Sequence, residues 1–168
     1  MLKFFAPTLV KGLGFTDPLT IGWIMAVIHL CGAAGMIANG RHSDHAKEER
    51  FHCGVAALLG SIGIAAVALI GNVPALALPA LTLAIVGTMS AIPVFWQLPN
   101  LFLSGSAAAC GIALINSIAN LAGFGAPWLL GAVKTSTGQF TSGLLTVAAI
   151  EAVALLLIVA FIPRKKVE

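Results

Sequence analysis

Five long apolar stretches constrain this chain more than any other feature: Leu19–Gly40, His52–Ile70, Ala75–Trp96, Ala107–Leu130 and Ser142–Ile162. Crossing a bilayer takes about 20 residues at about 1.5 Å of rise each. No water reaches the backbone there, so each segment must satisfy its own peptide groups, and stretches without strand alternation do so as helices. The expected fold class is therefore all-α, a polytopic transmembrane helix bundle. Composition excludes the soluble alternative. Hydrophobic residues make up 59% of the 168 and charged residues 9%, whereas soluble domains carry about 25% charge.

Polar residues collect between the stretches. Arg41–Arg50 is the most charged segment and reads as a loop. Gly71-Asn72-Val73-Pro74 is a tight turn by its breaker chemistry. Gln97–Ser106 and Val133–Thr141 form two further polar connections, and Arg164–Glu168 forms a charged tail. Short connections force successive helices to run antiparallel. Summing basic residues over alternate sides puts Arg41, Lys47, Arg50, Arg164, Lys165 and Lys166 together, against Lys11 and Lys134. The positive-inside tendency then predicts an inner (plasma) membrane protein with its C-terminus in the cytoplasm. Trp23 and Trp96 fall near span ends, where interfacial anchors sit.

Residues 1–12 are too short to span. Phe4–Val10 reads as the last two turns of a preceding helix, and Asp17-Pro18 opens the next one with a cap and a first-turn proline. Lys3 and the apolar run after it imitate a signal peptide, but the run is short, contains Pro7 and lacks a cleavage site. An odd number of full spans plus a stump predicts a C-terminal transmembrane half-domain of something longer.

Four intramembrane side chains could carry chemistry. His29 lies mid-span in the first stretch and Glu151 mid-span in the last. Ionisable groups at that depth are functional candidates by default, and a carboxylate there must be protonated, paired or facing water. Glu151 is thus the proton-coupling candidate, and a protonated glutamate without such a role is its alternative. Asn116 and Asn120, spaced i and i+4, share a small polar face with Ala113, Gly123 and Pro127, while Leu114, Ile118 and Leu121 point elsewhere. Such a face lines a polar cavity or bonds to a neighbouring helix. Ala56 with Gly60, and Ala107 with Gly111, are small-xxx-small pairs suited to close helix contact.

Other chemistry is not expected. His42, His45, His52 and Cys53 match no zinc spacing and read as a solvated loop. Cys31, Cys53 and Cys110 sit in or beside apolar runs with no CxxC pair, as small core residues do. Ser61, Ser104 and Ser106 have no evident base partner, so an enzyme is not expected. Net charge is +3 without a basic stripe, which excludes a nucleic-acid reader. No metal or cofactor is expected.

Several motifs resemble a known family. Ile21-Gly22-Trp23 through Gly40-Arg41-His42-Ser43-Asp44 is similar to the eighth helix and following loop of the anion:cation symporter family, within the major facilitator superfamily. Pro93-Val94-Phe95-Trp96-Gln97-Leu98-Pro99 and Phe102-Leu103-Ser104-Gly105 resemble its tenth helix and the loop after it. Gly111–Ser117 and Asn120–Phe124 resemble its eleventh helix, and Phe4–Leu9 the end of its seventh. The likeness implies the end of helix seven and helices eight to twelve of a two-half transporter. It implies symport of a small organic anion (tartrate-, phthalate-, hydroxyphenylacetate- or sugar-acid-like), usually with a proton, across the lipid bilayer. It also implies a cytoplasmic gate at Gly40, Arg41, Ser43 and Asp44 and a missing N-terminal half as partner, while Asn116, Asn120 and His29 are substrate-pathway candidates by their own positions in the spans. The sequence departs from the family in two places. His45 stands where a basic residue is usual, and His29 where an aromatic one is common. The five spans contain no Lys or Arg, so a cation for the anion must come from outside them. The alternative is a non-transporting remnant, or a small membrane protein acting through a partner.

Overall fold

A computed structural model describes residues 2–71, 73–137 and 141–162. They form an all-α polytopic bundle with no strand among them. The helices are α1 (Leu2–Gly12), α2 (Pro18–Ala46), α3 (Glu49–Ile70), α4 (Pro74–Phe95), α5 (Gly105–Thr137) and α6 (Thr141–Phe161), with a short 3-10 helix at Leu98–Leu101 before α5. Five of these are long and apolar enough to cross a membrane.

Local chemistry sets the helix starts. Asp17 caps α2: its Oδ2 accepts from the Thr20 amide at 2.8 Å and from the Thr20 hydroxyl at 2.6 Å. Pro18 and Pro74 occupy first-turn positions, where a missing N–H costs nothing. The Thr20 donors hold the Asp17 carboxyl below its ordinary range, the hydroxyl first and the amide second. A depressed folded value means the cap is intact above the unfolded value and is lost as pH falls through the folded one. Asp17→Ala should therefore speed amide exchange at Thr20 and Ile21, and acidifying the native chain should do the same. Equal protection in both proteins at neutral pH would contradict this.

The packing order is α2, α4, α3, α6, with α1 laid against α2 and α4. One core joins Ala6 and Val10 of α1, Ile28 of α2, Ile64 and Val67 of α3, Leu81, Ala84 and Ile85 of α4, and Leu144 and Ala148 of α6. A second gathers Cys53, Val94 and Leu98 near the opposite end. Helix α2 exposes a stripe of Leu19, Trp23, Val27, Leu30 and Ile37. An exposed stripe that apolar suits lipid or a further apolar surface.

Helices α3 and α4 meet backbone to backbone. A Cβ on Gly63 would fall inside the Ala84 backbone, and one on Gly87 inside that of Gly60. The expected Ala56–Gly60 pair lies at this contact, since the Gly87 position also abuts the Ala56 carbonyl. Ala107 and Gly111 make no such seam. Ala107 is exposed, and Gly111 faces the Leu103 side chain of the connector.

The segment Arg41–Arg50 is not the loop its charge suggested. Helix α2 runs on through Gly40, Arg41, Ser43 and Asp44 to Ala46. At 29 residues it is about 44 Å long, so its last turns outreach a hydrocarbon core of about 30 Å. Polar composition there reflects position outside lipid rather than loss of helix. The chain reverses at Lys47, whose φ of 49° is left-handed and costs a non-glycine residue about 1 kcal/mol. Glu48 then caps α3 by accepting from the Phe51 amide at 2.8 Å. Helix α5 likewise continues to Thr137, through residues whose polarity suggested a connection.

Candidate functional site

The sequence candidates do not converge on one site. Asn116 and Asn120 are both exposed. The Asn120 amide donates to the Asn116 carbonyl at 2.9 Å, and the Ser117 hydroxyl to the Ala113 carbonyl at 2.8 Å. The polar face is thus bonded to its own helix. The other face of α5 is equally open, with Leu121 73% and Phe124 83% exposed. Helix α5 packs against α6 and the 3-10 connector, so both of its faces look out of the bundle.

His29 is half-buried on α2, and its Nδ1 donates to the Met25 carbonyl one turn back at 2.8 Å. The bond holds the ring against its own helix.

Glu151 sits in the seam between α6, α3 and α4. Its Oε1 lies 3.4 Å from the Thr88 hydroxyl, which also donates to the Ala84 carbonyl at 2.7 Å. A Cβ added at Gly60 would stand 2.8 Å from that carboxylate oxygen. One turn away the buried Ser61 hydroxyl donates to the Ala148 carbonyl at 2.8 Å. Glycine at position 60 makes the room, and the two hydroxyls give the seam its polar lining. Thr88 was not singled out in the sequence, and Ser61 was weighed only as a nucleophile lacking a base, because hydroxyls within apolar helices commonly bond to their own backbone.

The proposed gate residues form a compact end structure. Ser43 is fully buried and its hydroxyl donates to the Glu48 carbonyl at 3.0 Å, closing the α2–α3 turn. The Gln97 amide donates to Asp44 at 3.2 Å, tying α2 to the connector before α5. Arg41 is exposed. Arg50 donates to the Ile162 carbonyl at 2.9 Å and lies 4.7 Å over the Phe51 ring. The α2–α3 turn and the end of α6 therefore share one end of the bundle. Arg164, Lys165 and Lys166, counted for orientation, lie outside the described residues.

A largely apolar recess with a few polar groups, not singled out in the sequence, lies between α2 and α3. Helices α2 and α3 splay apart over α4, leaving an open groove of about 480 Å³ lined by Gly35, Asn39, His42, Val55, Gly87 and Ser90 among others. The Asn39 amide donates to the Ser90 carbonyl at 2.9 Å and reaches the His52 carbonyl at 3.5 Å. It joins three helices. Its spacing of i, i+4 from Gly35 and i, i+3 to His42 was visible, but a single asparagine near a span end reads as interfacial.

Comparison with known proteins adds to this geometry. The chain is 42% identical over 147 residues to a protein of Agrobacterium vitis named as a tartrate transporter. That match takes in 88% of the chain and 34% of the relative. It is 34% identical over 166 residues to a protein of Pseudomonas putida named as a metabolite transport protein, covering 99% of the chain and 38% of that relative. These relatives indicate a transporter family. A quinolone resistance transporter of Acinetobacter baumannii is also similar, at 34% identity over 85% of the chain and 33% of its own length. The chain spans about a third of the length of these transporters. No family profile matches it, and no solved structure does. The relatives' names are those of transporters rather than enzymes, which fits the helical bundle and a multi-pass membrane protein.

Proposed function

We propose that this chain is the C-terminal transmembrane part of a major facilitator superfamily transporter of the anion:cation symporter family, and that the assembled protein carries a small organic carboxylate together with a proton. The 42% identity to the protein named as a tartrate transporter, over 88% of the chain, carries this reading. The open polar face of α5 supports it. Asn116 and Asn120 would meet the solute once further helices cover that face, and hydrogen-bond its carboxylate or hydroxyl groups. The cation for the carboxylate would come from those further helices. Glu151 would carry the proton, and His29 would border the pathway. Gly40, Arg41, Ser43 and Asp44, with the Asp44–Gln97 bond, would form the cytoplasmic end in an inner membrane.

A second reading is a non-transporting protein that acts through a membrane partner, for which the uncovered faces of α5 leave room. Vesicle uptake of labelled tartrate separates the two. The chain alone should show no saturable uptake. Supplied with the part of the Agrobacterium vitis relative that precedes the matched region, it should copurify with that part and restore uptake. Asn116→Ala with Asn120→Ala should then lower that uptake about tenfold, the worth of a lost hydrogen bond or two. Saturable uptake by the chain alone would overturn the need for completion. Copurification without uptake would favour the second reading.

A further inference from the structure

Each hydroxyl in the seam between α3, α4 and α6 has one proton to donate, and both protons are already engaged. Thr88 Oγ1 lies 2.7 Å from the Ala84 carbonyl oxygen and 3.4 Å from Glu151 Oε1. A carbonyl only accepts, so the shorter contact holds the Thr88 proton. The Ser61 hydroxyl is committed in the same way, to the Ala148 carbonyl at 2.8 Å. What Thr88 turns toward Glu151 is therefore a lone pair. An ionised carboxylate would meet it with a lone pair of its own, and two acceptors do not bond. A carboxylic acid would meet it with a hydrogen.

The surroundings agree with the acid. Helices α3 and α4 bring Gly60, Ser61 and Thr88 to the seam, and none of these titrates. His52 and Arg50 of α3 are about 12 and 15 Å of helical rise away from Gly60, and Arg50 is aimed at the Ile162 carbonyl. Helices α4 and α6 contain no basic residue. Helix α5, which also packs on α6, has Lys134 as its one charged residue, near the end that leads into α6. The N-terminal amine acts on Glu151 less than burial and Thr88 do. A carboxylate with neither a cation nor a donor beside it is the costly form in apolar surroundings.

From this geometry we infer that Thr88 is the positioning residue for a neutral Glu151: the acid donates its proton to the Thr88 hydroxyl, which in turn donates to the Ala84 carbonyl. The chain of three places the acid proton on Oε1. Loss of that proton needs only a turn of the Thr88 hydroxyl. Its hydrogen leaves the Ala84 carbonyl and points at the carboxylate, which stays paired, and no helix has to move. A hydroxyl accepts from the acid and donates to its anion; a methyl group does neither. The inference deepens the reading of Glu151 as the proton carrier and rests on it for its use in transport, but the bond itself is measured without transport.

Infrared spectra of the full chain in lipid nanodiscs read the bond directly. At neutral pH the native chain should show a carboxylic-acid C=O band that Glu151→Gln abolishes. Thr88→Val, close in shape but without the hydroxyl, should shift that band toward the position of an unbonded acid, and Thr88→Ser should return it. Absence of the band from the native chain would overturn the inference. So would a band that Thr88→Val leaves in place, the outcome expected if Thr88 only fills space. Should Thr88→Val not fold, NMR of the native chain with carbon-13 glutamate decides. The Glu151 carboxyl carbon should resonate as an acid, with its proton in dipolar contact with the Thr88 side chain; a carboxylate resonance, or an acid proton remote from Thr88, overturns the inference. Failed uptake by the completed transporter with the band intact would count against the transport reading and leave the bond standing.

Discussion

Gly87→Ala is expected to unseat α4 from α3 and to destabilise the bundle by about 3 kcal/mol, the upper end of overpacking costs. The added methyl would meet the Gly60 backbone and the Ala56 carbonyl. Backbone cannot rotate aside as a side-chain tip can, so the helices must part along their contact. The Glu151 seam is disturbed with it, because Gly60 and Thr88 lie beside the α6 carboxylate. Gly123→Ala is the matched control, with nothing within 4 Å of its Cβ position. Detergent-titrated unfolding followed by circular dichroism should put Gly87→Ala far below the native chain and Gly123→Ala beside it. Equal midpoints for both variants would mean that the α3–α4 approach is looser than described.

Glu151→Lys should be the more damaging change at the second seam. It replaces a carboxyl 3.4 Å from the Thr88 hydroxyl with a longer cation facing Gly60 and two helices that offer it no carboxylate. A buried unpaired charge costs about 3–5 kcal/mol, enough to drive α6 off α3. Glu151→Gln keeps the shape and still bonds to Thr88, so its unfolding midpoint should stay close to native. The pair also divides structure from transport. Glutamine cannot take up or release a proton, so in a reconstituted transporter Glu151→Gln should fold normally and lose proton-driven uptake while keeping exchange. Full proton-driven uptake by Glu151→Gln would remove Glu151 from the coupling step and leave it a packing residue.

Fold class was legible because a bilayer leaves so few solutions to long apolar runs. Their ends were less legible, for a physical reason. Hydropathy reports where lipid stops, whereas a helix stops where its hydrogen bonding is capped. Arg41 to His45 are polar and helical at once, and the real reversal is marked by Lys47 and Glu48. The site was legible only in part. Asn116, Asn120, His29 and Glu151 stood out as polar atoms in apolar surroundings, but depth along a helix carries no information about which neighbour a side chain faces. The His42–His52 contact joins two helices through a short turn, and Asn39 meets Ser90 across 51 positions. Neither pairing has a spacing that a single sequence displays.

The glycine contact between α3 and α4 has a mechanical consequence. Dispersion is short-ranged, and a gap of about 0.5–1 Å already forfeits roughly a quarter to a half of it. Surfaces made of hydrogen and backbone have no rotamers with which to follow a retreating neighbour. These two helices are therefore either fully seated or detached, with no stable spacing between, and they travel as one stiff plank. Bending or sliding in the membrane should then fall on the contacts that α3 and α4 make with the other helices rather than on the one between them.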